Sequence, residues 1–252
     1  DARVTRVTAP NPGVMTGPGT NAYVVGEREV AIIDPGPDIE SHREAILAVV
    51  AGRPVKAILC THTHVDHSPG AGALAKATGA PVLGRPAPEH GNQDRTFAPA
   101  RTLADGERIA FEGTTLVALH TPGHASNHLC FLLEETGMLF TGDHVMQGST
   151  VVINPPDGDM QVYLQQLERI VALAPRIFAP GHGYLLGDTV KAVRKLIAHR
   201  LAREAKVVAA LEALDGGTIE SLLPKVYDDV SPRLHPVASR SLAAHLGKLI
   251  AD

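Results

Sequence analysis

Short apolar runs and helical patterns alternate along the first part of the chain. In the helical pattern near residue 46, Ile39, Ile46, Leu47 and Val50 fall on one side. The predicted elements are strands at 21–26, 30–36 and 55–60, and helices at 38–51 and 69–78. Strands that alternate with helices in this way predict an α/β layer architecture.

The middle of the chain changes to consecutive strands. Residues 84–101 are polar and rich in proline, which predicts a surface loop. Turn sequences such as "FEGTT" and "EETG" then separate short apolar runs, as is typical of neighbouring strands. The predicted elements are strands at 108–111, 115–120, 129–133 and 138–141, a helix at 159–173 and a strand at 176–179. We expect residues 1–187 to form one main domain.

The pattern changes again from Asp188 onward. No strong strand pattern follows, and three helical segments are predicted near 188–214, 217–223 and 236–251. We therefore expect residues 188–252 to form a separate small helical domain.

Composition places the chain among ordinary globular proteins. It has 252 residues, of which 44% are hydrophobic and 20% charged, with a net charge of −4. No apolar run has the length that crossing a bilayer requires, so we expect no membrane partner. Cys60 and Cys130 lie in apolar strands and are predicted to be reduced, buried thiols. This cysteine usage favours a reducing compartment, and we expect the cytoplasm.

Four potential metal ligands crowd the stretch "CTHTHVDHSPG" at residues 60–70, directly after a predicted strand. They are His62, His64, Asp66 and His67. A buried imidazole or carboxylate without a polar partner costs free energy, so a stable core alone does not explain the cluster. His62 and His64 are two residues apart, which directs their side chains to the same side of an extended segment. The spacing predicts a metal site.

Three further donors stand where other predicted strands end. They are His124 in "TPGHASNH", Asp143 in "FTGDHVM" and His182 in "APGHGY", and a glycine adjoins each of them. A glycine lets the backbone turn sharply, and loops at the ends of a rigid sheet are common places for functional sites. Taken alone, each of these residues has a structural role as the alternative. Imidazoles together with carboxylates suit zinc best, with iron or manganese as alternatives.

These residues resemble the metallo-beta-lactamase superfamily, whose mark is His-x-His-x-Asp-His. Here the motif is His62-Thr63-His64-Val65-Asp66-His67. The stretches "IIDPG", "TPGHASNH", "TGDHV" and "PGHG" occur in the order typical of the family, so the resemblance covers residues 20–187. It implies a four-layer αββα sandwich with two metal ions at the strand ends.

The resemblance also implies roles for individual residues. The implied ligands of the first metal ion are His62, His64 and His124. Those of the second are Asp66, His67 and His182, and Asp143 bridges the two ions. The implied cofactors are two zinc ions per chain, or iron or manganese, with a water that bridges them as the nucleophile and with Asp66 and Asp143 as catalytic residues. Asp34 in "IIDPG" either orients a ligand or is a plain turn residue.

The branch of the superfamily is less sharply defined. True zinc β-lactamases generally lack an aspartate at the place of Asp143, and the flavodiiron branch usually has Glu where this chain has His64. Residues 188–252 resemble the winged-helix-like tail of the branch of beta-lactamase-like protein 2, a single-strand-specific endoribonuclease. Several bacterial hydrolases and polyketide thioesterases share that arrangement.

Two hydrolytic functions remain after this comparison, and the endoribonuclease or phosphodiesterase function is the one we expect. Lys191, Lys195, His199 and Arg203 recur every four residues, so they form one basic stripe on a helix that can attract phosphates. A solvated helix face is the alternative interpretation. Aromatic residues make up only 4% and tryptophan is absent, so base-stacking platforms are scarce.

The alternative function is hydrolysis of a thioester, as in glyoxalase II or acyl-carrier thioesterases. The substrate is then a small molecule rather than single-stranded RNA, and the metal ligands do not distinguish the two. The residues that line the pocket distinguish the two functions. The candidate lining residues are Tyr184, Asn127, His128, His144 and the loop 146–157. A non-enzymatic RNA-binding or metal-storing role would leave an apparently complete dinuclear site unused.

Overall fold

The computed structural model describes residues 2–251 and contains two β-sheets. In the first sheet the strands lie side by side in chain order. They are β1 (Val4–Thr8), β2 (Asn21–Val25), β3 (Val30–Ile33), β4 (Val55–Leu59), β5 (Val82–Gly84) and β6 (Arg101–Thr102). The first three strands pair antiparallel, whereas β3 to β6 pair parallel. The carboxyl ends of the parallel strands therefore meet at one edge.

The second sheet has five strands and is mostly antiparallel. Its strands are β7 (Glu107–Phe111), β8 (Thr114–His120), β9 (Leu129–Leu133), β10 (Met138–Gly142) and β11 (Ile177–Pro180). Their order in the sheet is β11-β10-β9-β8-β7, and the one parallel pair joins β10 to β11. This parallel pair places the carboxyl ends of β10 and β11 next to each other.

The two sheets face each other, and helices cover their outer sides. Helices α1 (Glu40–Val50) and α2 (Ala71–Thr78) pack on the first sheet, while α3 (Met160–Leu173) and α4 (Thr189–Leu214) pack on the second. Buried side chains such as Leu59 and Phe131 fill the space between the sheets. All five residues of β2 are buried because both faces of its sheet are covered. The four-layer αββα sandwich expected from the sequence is confirmed.

The last part of the described chain is helical. Helices α5 (Ile219–Val226) and α6 (His235–Ala251) pack on the second half of α4 around Val207, Leu222 and Leu242. The first half of α4 instead contributes Val193 and Leu196 to the core beneath α3. One continuous helix thus belongs to two cores. The boundary between residues 187 and 188 stays a prediction.

Most predicted elements are present within a few residues of their expected ends, but three strands were not predicted. The sequence analysis placed no strand at β1, whose side chains are half-exposed, and none at β5 or β6. The predicted loop 84–101 runs between β5 and β6. Both cysteines are free and buried, which agrees with the sequence. None of the helices within residues 2–251 is long and apolar enough to cross a membrane.

Candidate active site

All seven predicted metal ligands lie together at one end of the sandwich. Four of them follow β4 in the first sheet, and the others follow β8, β10 and β11 in the second. We call this group the donor cluster; it consists of His62, His64, Asp66, His67, His124, Asp143 and His182. The cluster forms where strand ends of both sheets meet, as the glycine-flanked motifs predict.

Three histidines form one half of the donor cluster. Nδ1 of His64 lies 3.0 Å from Nε2 of His62 and 3.0 Å from Nε2 of His124. Burial lowers the pKa of all three imidazoles, and that of His64 falls to about 3. The rings are therefore neutral near pH 7, which is the form in which an imidazole nitrogen binds a metal ion.

The other half combines one carboxylate with two imidazoles. Oδ2 of Asp66 lies 3.5 Å from Nε2 of His67 and 3.3 Å from Nε2 of His182. Burial lowers the pKa of both histidines, but the surrounding carboxylates outweigh it. They hold the pKa of His67 well above its usual range and raise that of His182 to about 10. A cation that binds here must displace protons, so its affinity rises with pH.

Asp143 joins the two halves of the donor cluster. Its Oδ1 lies 3.4 Å from Nε2 of His67 and 3.3 Å from Nε2 of His182, while its Oδ2 lies 3.7 Å from Nε2 of His124. One carboxylate thus presents a different oxygen to each half. Burial raises the pKa of Asp143, but His182 and His67 hold it well below its usual range.

Asp34 fixes the orientation of two residues in the donor-bearing loop. It directly follows β3 with a φ of 49°, a left-handed conformation that is uncommon for aspartate. Its Oδ2 accepts hydrogen bonds from Nδ1 of His67 (2.9 Å) and Oγ1 of Thr61 (2.8 Å), and its Oδ1 accepts one from the Thr61 backbone N–H (2.7 Å). Asp34 therefore orients a ligand, the first of the two roles that the sequence left open.

Backbone carbonyls orient two further imidazoles. His124 donates from Nδ1 to the carbonyl of Val152 (2.7 Å), and His182 donates from Nδ1 to the carbonyl of Gly19 (3.3 Å). These hydrogen bonds fix the tautomer and leave both Nε2 atoms directed into the cluster. Neither carbonyl carries a sequence signal, because any residue type could supply it.

Glycines allow the strand ends to approach the donor cluster. A Cβ on Gly181 would lie 2.7 Å from Cε1 of His67 and 2.9 Å from Oδ1 of Asp143. A Cβ on Gly142, which has a φ of 46°, would lie 2.6 Å from Oγ1 of Thr61. The glycines noted in the sequence are thus required for close approach.

Buried polar atoms without hydrogen-bond partners also indicate that the donor cluster fits divalent cations. Nε2 of His67 and Oδ1 of Asp143 are buried, and neither has a hydrogen-bond partner within the described chain. Buried polar atoms without partners are rare because they lose the interactions that water would supply. A cation between these atoms would supply the missing partner, and imidazole nitrogens with carboxylate oxygens are suitable ligands.

A cavity of about 610 Å3 opens beside the donor cluster. Its walls include the loop 146–157, as the sequence analysis proposed, and the C-terminal helices. We call the apolar residues that this loop and the C-terminal segment contribute to the lining the apolar wall; it consists of Met146, Val151, Val152, Tyr227, Val230, Leu234, Val237 and Ala238. A cavity of this size whose lining combines apolar side chains with polar and charged groups suits a small molecule.

The other four candidate wall residues do not belong to the lining of this cavity. His128 accepts a hydrogen bond from the Asp143 backbone N–H (3.2 Å), and His144 packs against the Tyr163 ring, so both are buried structural residues. Asn127 donates to Oγ1 of Thr63 (2.7 Å). Tyr184 is 64% exposed.

The basic stripe predicted on α4 is interrupted. Lys191, Lys195 and His199 are exposed, but Arg203 is buried and pairs with Asp229 through hydrogen bonds of 2.6 and 3.0 Å. Arg200, which the sequence analysis did not place in the site, is also buried and lines the cavity. The helical period alone could not reveal this, because the partners of these arginines are distant in sequence.

Comparison with known proteins agrees with the fold. The family model for the metallo-beta-lactamase superfamily matches residues 15–182, and that for the beta-lactamase associated winged helix domain matches residues 218–252. The crystal structure of a metallo-beta-lactamase family protein from Thermus thermophilus superposes with a TM-score of 0.80 at 25% identity, over 99% of this chain and 94% of that one.

Two fungal proteins are similar in sequence. The lactamase-like protein aptB of Emericella nidulans is 31% identical over 99% of this chain and 82% of its own length. An atrochrysone carboxyl ACP thioesterase of Aspergillus fumigatus is 34% identical over 83% of this chain and 65% of its own length. The chain therefore belongs to the metallo-beta-lactamase superfamily. It is a hydrolase with a C-terminal winged-helix domain.

Proposed function

We propose that this hydrolase cleaves thioesters of acyl groups, such as those attached to a carrier protein, with two divalent metal ions. The observation that carries the proposal is the apolar wall beside the donor cluster, which suits an acyl chain. Relatives named as thioesterases point to the same substrate class. The thioester alternative of the sequence analysis is thus better supported than the endoribonuclease function.

The ligand assignment within this proposal follows the geometry of the donor cluster. His62, His64 and His124 would hold one cation, and Asp66, His67 and His182 would hold the other. Asp143, which lies near both groups, would be the ligand that they share. Zinc suits these ligands best, with iron or manganese as alternatives. Two such ions would supply an activated water, because coordination lowers the pKa of bound water to about 7.

The residues of the chain position the reacting groups. In the overall reaction water adds an oxygen to the acyl carbon, the carbon–sulfur bond breaks, and the thiol leaves with a proton. Oδ2 of Asp66 faces His67 and His182, whereas Oδ1 has no hydrogen-bond partner within residues 2–251. Asp66 also lines the cavity, so Oδ1 is the atom placed to accept a proton from water.

The endoribonuclease function has less support than the sequence suggested. Arg203 of the basic stripe forms an ion pair with Asp229, so its charge is not free to attract phosphates. Lys206 likewise pairs with Asp228. Beside its polar and charged residues the cavity lining has one tyrosine, Tyr227, and no phenylalanine or tryptophan within the described chain, so platforms for stacked bases are scarce there.

A side-by-side assay tests the proposal. Metal-loaded protein is given an acyl thioester, single-stranded RNA, an aryl phosphodiester and a β-lactam, and bound metal is counted by elemental analysis. We expect about two metal ions per chain and rapid thioester turnover, with the other three substrates hydrolysed far more slowly. RNA cleavage without thioester turnover would overturn the proposal.

A paired variant ties this activity to the donor cluster. Asp143→Asn removes the charge that joins the two halves, and we expect turnover to fall by at least about 100-fold with loss of bound metal. Asp188→Asn, at an exposed aspartate outside the cluster, serves as the control and should behave as wild type. Undiminished turnover in Asp143→Asn would mean that the bridging assignment is wrong.

A further inference from the structure

Two buried arginines on α4 differ in how their charge is balanced. Arg203 is paired with Asp229, donates to the carbonyl of Val226 and stacks over the Tyr227 ring at 4.4 Å. Arg200 is only 3% exposed, yet no carboxylate of the described chain lies within ion-pairing distance of its guanidinium. A buried charge without a counter-ion is costly, so this position calls for a specific reason.

Arg200 has unused hydrogen-bonding capacity. Nη2 donates to the carbonyl of Val151, and the guanidinium lies 5.7 Å from the centre of the Tyr163 ring. Its Nε is buried without a partner. A guanidinium has five N–H donors in a planar fork that matches a carboxylate. Arg200 lines the cavity, so its remaining donors are available to a bound molecule.

A second unpaired donor lines the same cavity. The hydroxyl of Tyr227 is buried without a hydrogen-bond partner. Burial raises the pKa of this phenol, and the positive charges of Arg200 and Arg203 oppose the rise; the guanidinium of Arg203 lies 4.4 Å from the centre of the ring. The phenol stays protonated at neutral pH and can donate a hydrogen bond.

The acidic residues of the cavity do not balance Arg200. Asp157 accepts hydrogen bonds from Nε2 of Gln93 (3.2 Å) and from the backbone N–H of Ser126 (3.3 Å). Asp66 and Asp143 belong to the donor cluster. The positive charge of Arg200 is therefore left for a ligand.

We propose that Arg200, assisted by the Tyr227 hydroxyl, binds a negatively charged oxygen on the acyl part of the thioester, so the preferred substrates carry an acidic group. This inference rests on the proposed thioesterase function. The acyl part is favoured over a phosphate on the thiol side because Arg200 is only 3% exposed and shares the cavity lining with the apolar wall. A strongly hydrated phosphate on an arm tethered to a carrier belongs at the cavity mouth.

Matched substrates test the assignment. Six-carbon acyl thioesters of N-acetylcysteamine, which lack phosphate, carry either a terminal carboxylate or its methyl ester. We expect Arg200→Met to lower kcat/KM for the carboxylate substrate roughly 10- to 100-fold, mainly through KM, because a hydrogen bond to a charged group is lost. The ester substrate should change less than threefold. Arg200→Lys should restore part of the lost preference for the carboxylate substrate. Tyr227→Phe should lower kcat/KM for that substrate less than Arg200→Met does.

Control measurements separate ligand binding from a structural role. Arg240→Met changes an exposed arginine of the same cavity and should leave the preference intact. Arg200 also supports Val151, whose neighbour Val152 accepts from His124, so bound metal is counted in every variant. Equal losses on both substrates, or loss of metal in Arg200→Met, would overturn the proposal in favour of a positioning role.

Two further experiments distinguish failure of the proposed anion site from failure of the proposed thioesterase function. A defect of Arg200→Met seen only with phosphopantetheine thioesters would assign the residue to phosphate and overturn the acyl assignment. Binding of the free six-carbon dicarboxylic acid, measured by calorimetry, needs no turnover. If wild type binds the acid and Arg200→Met does not, the anion site stands even where no thioester is hydrolysed and the proposed function fails. Equal binding by both proteins would overturn the anion site.

Discussion

The donor cluster and the apolar wall lie side by side but are built differently. Residues at strand ends of both sheets form the donor cluster, and Asp34 together with the carbonyls of Gly19 and Val152 fixes its imidazoles. The loop 146–157 and the C-terminal helices form most of the apolar wall. Under the proposed function, the sheets would therefore carry the reaction, whereas the loop and the last helices would select the substrate.

Variants of the two regions should therefore behave differently. A change near the donor cluster should affect every thioester alike, because all substrates meet the same metal ions. A change in the apolar wall should affect only those substrates that reach it.

The largest expected effect concerns the support of the cluster. Asp34→Asn weakens the acceptor of the His67 Nδ1–H, and we expect kcat/KM and metal affinity to fall roughly 10- to 100-fold for every thioester. Kinetics on short and long acyl thioesters and a metal titration measure this. Asp38→Asn, at an exposed aspartate four residues away, is the matched control. A defect confined to long substrates would contradict the division between the two regions.

A smaller and selective effect is expected in the apolar wall. Val237→Ala removes apolar contact area, and losing about 1 kcal/mol of hydrophobic contact corresponds to a roughly fivefold lower kcat/KM. We expect this for a long acyl thioester and no change for an acetyl thioester. Val208→Ala, at a partly exposed valine of α4 outside the cavity, should leave both substrates unaffected. An equal decrease for both thioesters would refute the selectivity.

The smallest expected effect concerns the stability of the C-terminal helices in acid, which depends on His245 of α6. Burial lowers the pKa of His245 to about 4, against an ordinary 6.5. The folded state then binds fewer protons than the unfolded state between these values. The contribution of His245 to the free energy of unfolding is therefore present above about pH 6.5 and is lost as the pH falls towards 4.

Thermal melting at pH 7 and pH 5.5 tests the contribution of His245. Between pH 7 and pH 5.5 we expect the melting temperature of His245→Gln to fall less than that of wild type, because glutamine cannot take up the proton. The difference should be a few °C at most. The exposed His90→Gln should lose as much as wild type. Identical losses in wild type and His245→Gln would show that His245 does not make the C-terminal core sensitive to acid.

The sequence was most informative where chemistry and backbone geometry coincide. The motif at residues 62–67 and the glycine-flanked His124, Asp143 and His182 identified a group that the structure brings together. Long apolar patterns likewise predicted the main strands and helices. The strand β1 was missed because its edge position leaves a weak alternation, and β5 and β6 are too short to give a pattern.

Features that depend on distant partners could not be predicted. Arg200 and Arg203 look like solvated residues of a basic helix, but both are buried, and Val151 and Asp229 accept their hydrogen bonds. The same limit applies to the carbonyls of Gly19 and Val152, because backbone groups carry no residue-specific signal. Local pattern thus predicted the donor cluster, whereas the apolar wall required the tertiary structure.

The continuity of α4 constrains how substrate preference can be transferred between relatives. The helix has 26 residues and is about 39 Å long, with Val193 and Leu196 in one core and Val207 and Ala210 in the other. A chimera joined at residue 188 would separate the first half of the helix from the α3 side chains that it covers. A junction within α4, after Leu196 and before Arg200, would transplant the arginine and the last helices as one module. It would keep Val193 and Leu196 on the α3 core, which α6 also joins through Ala244.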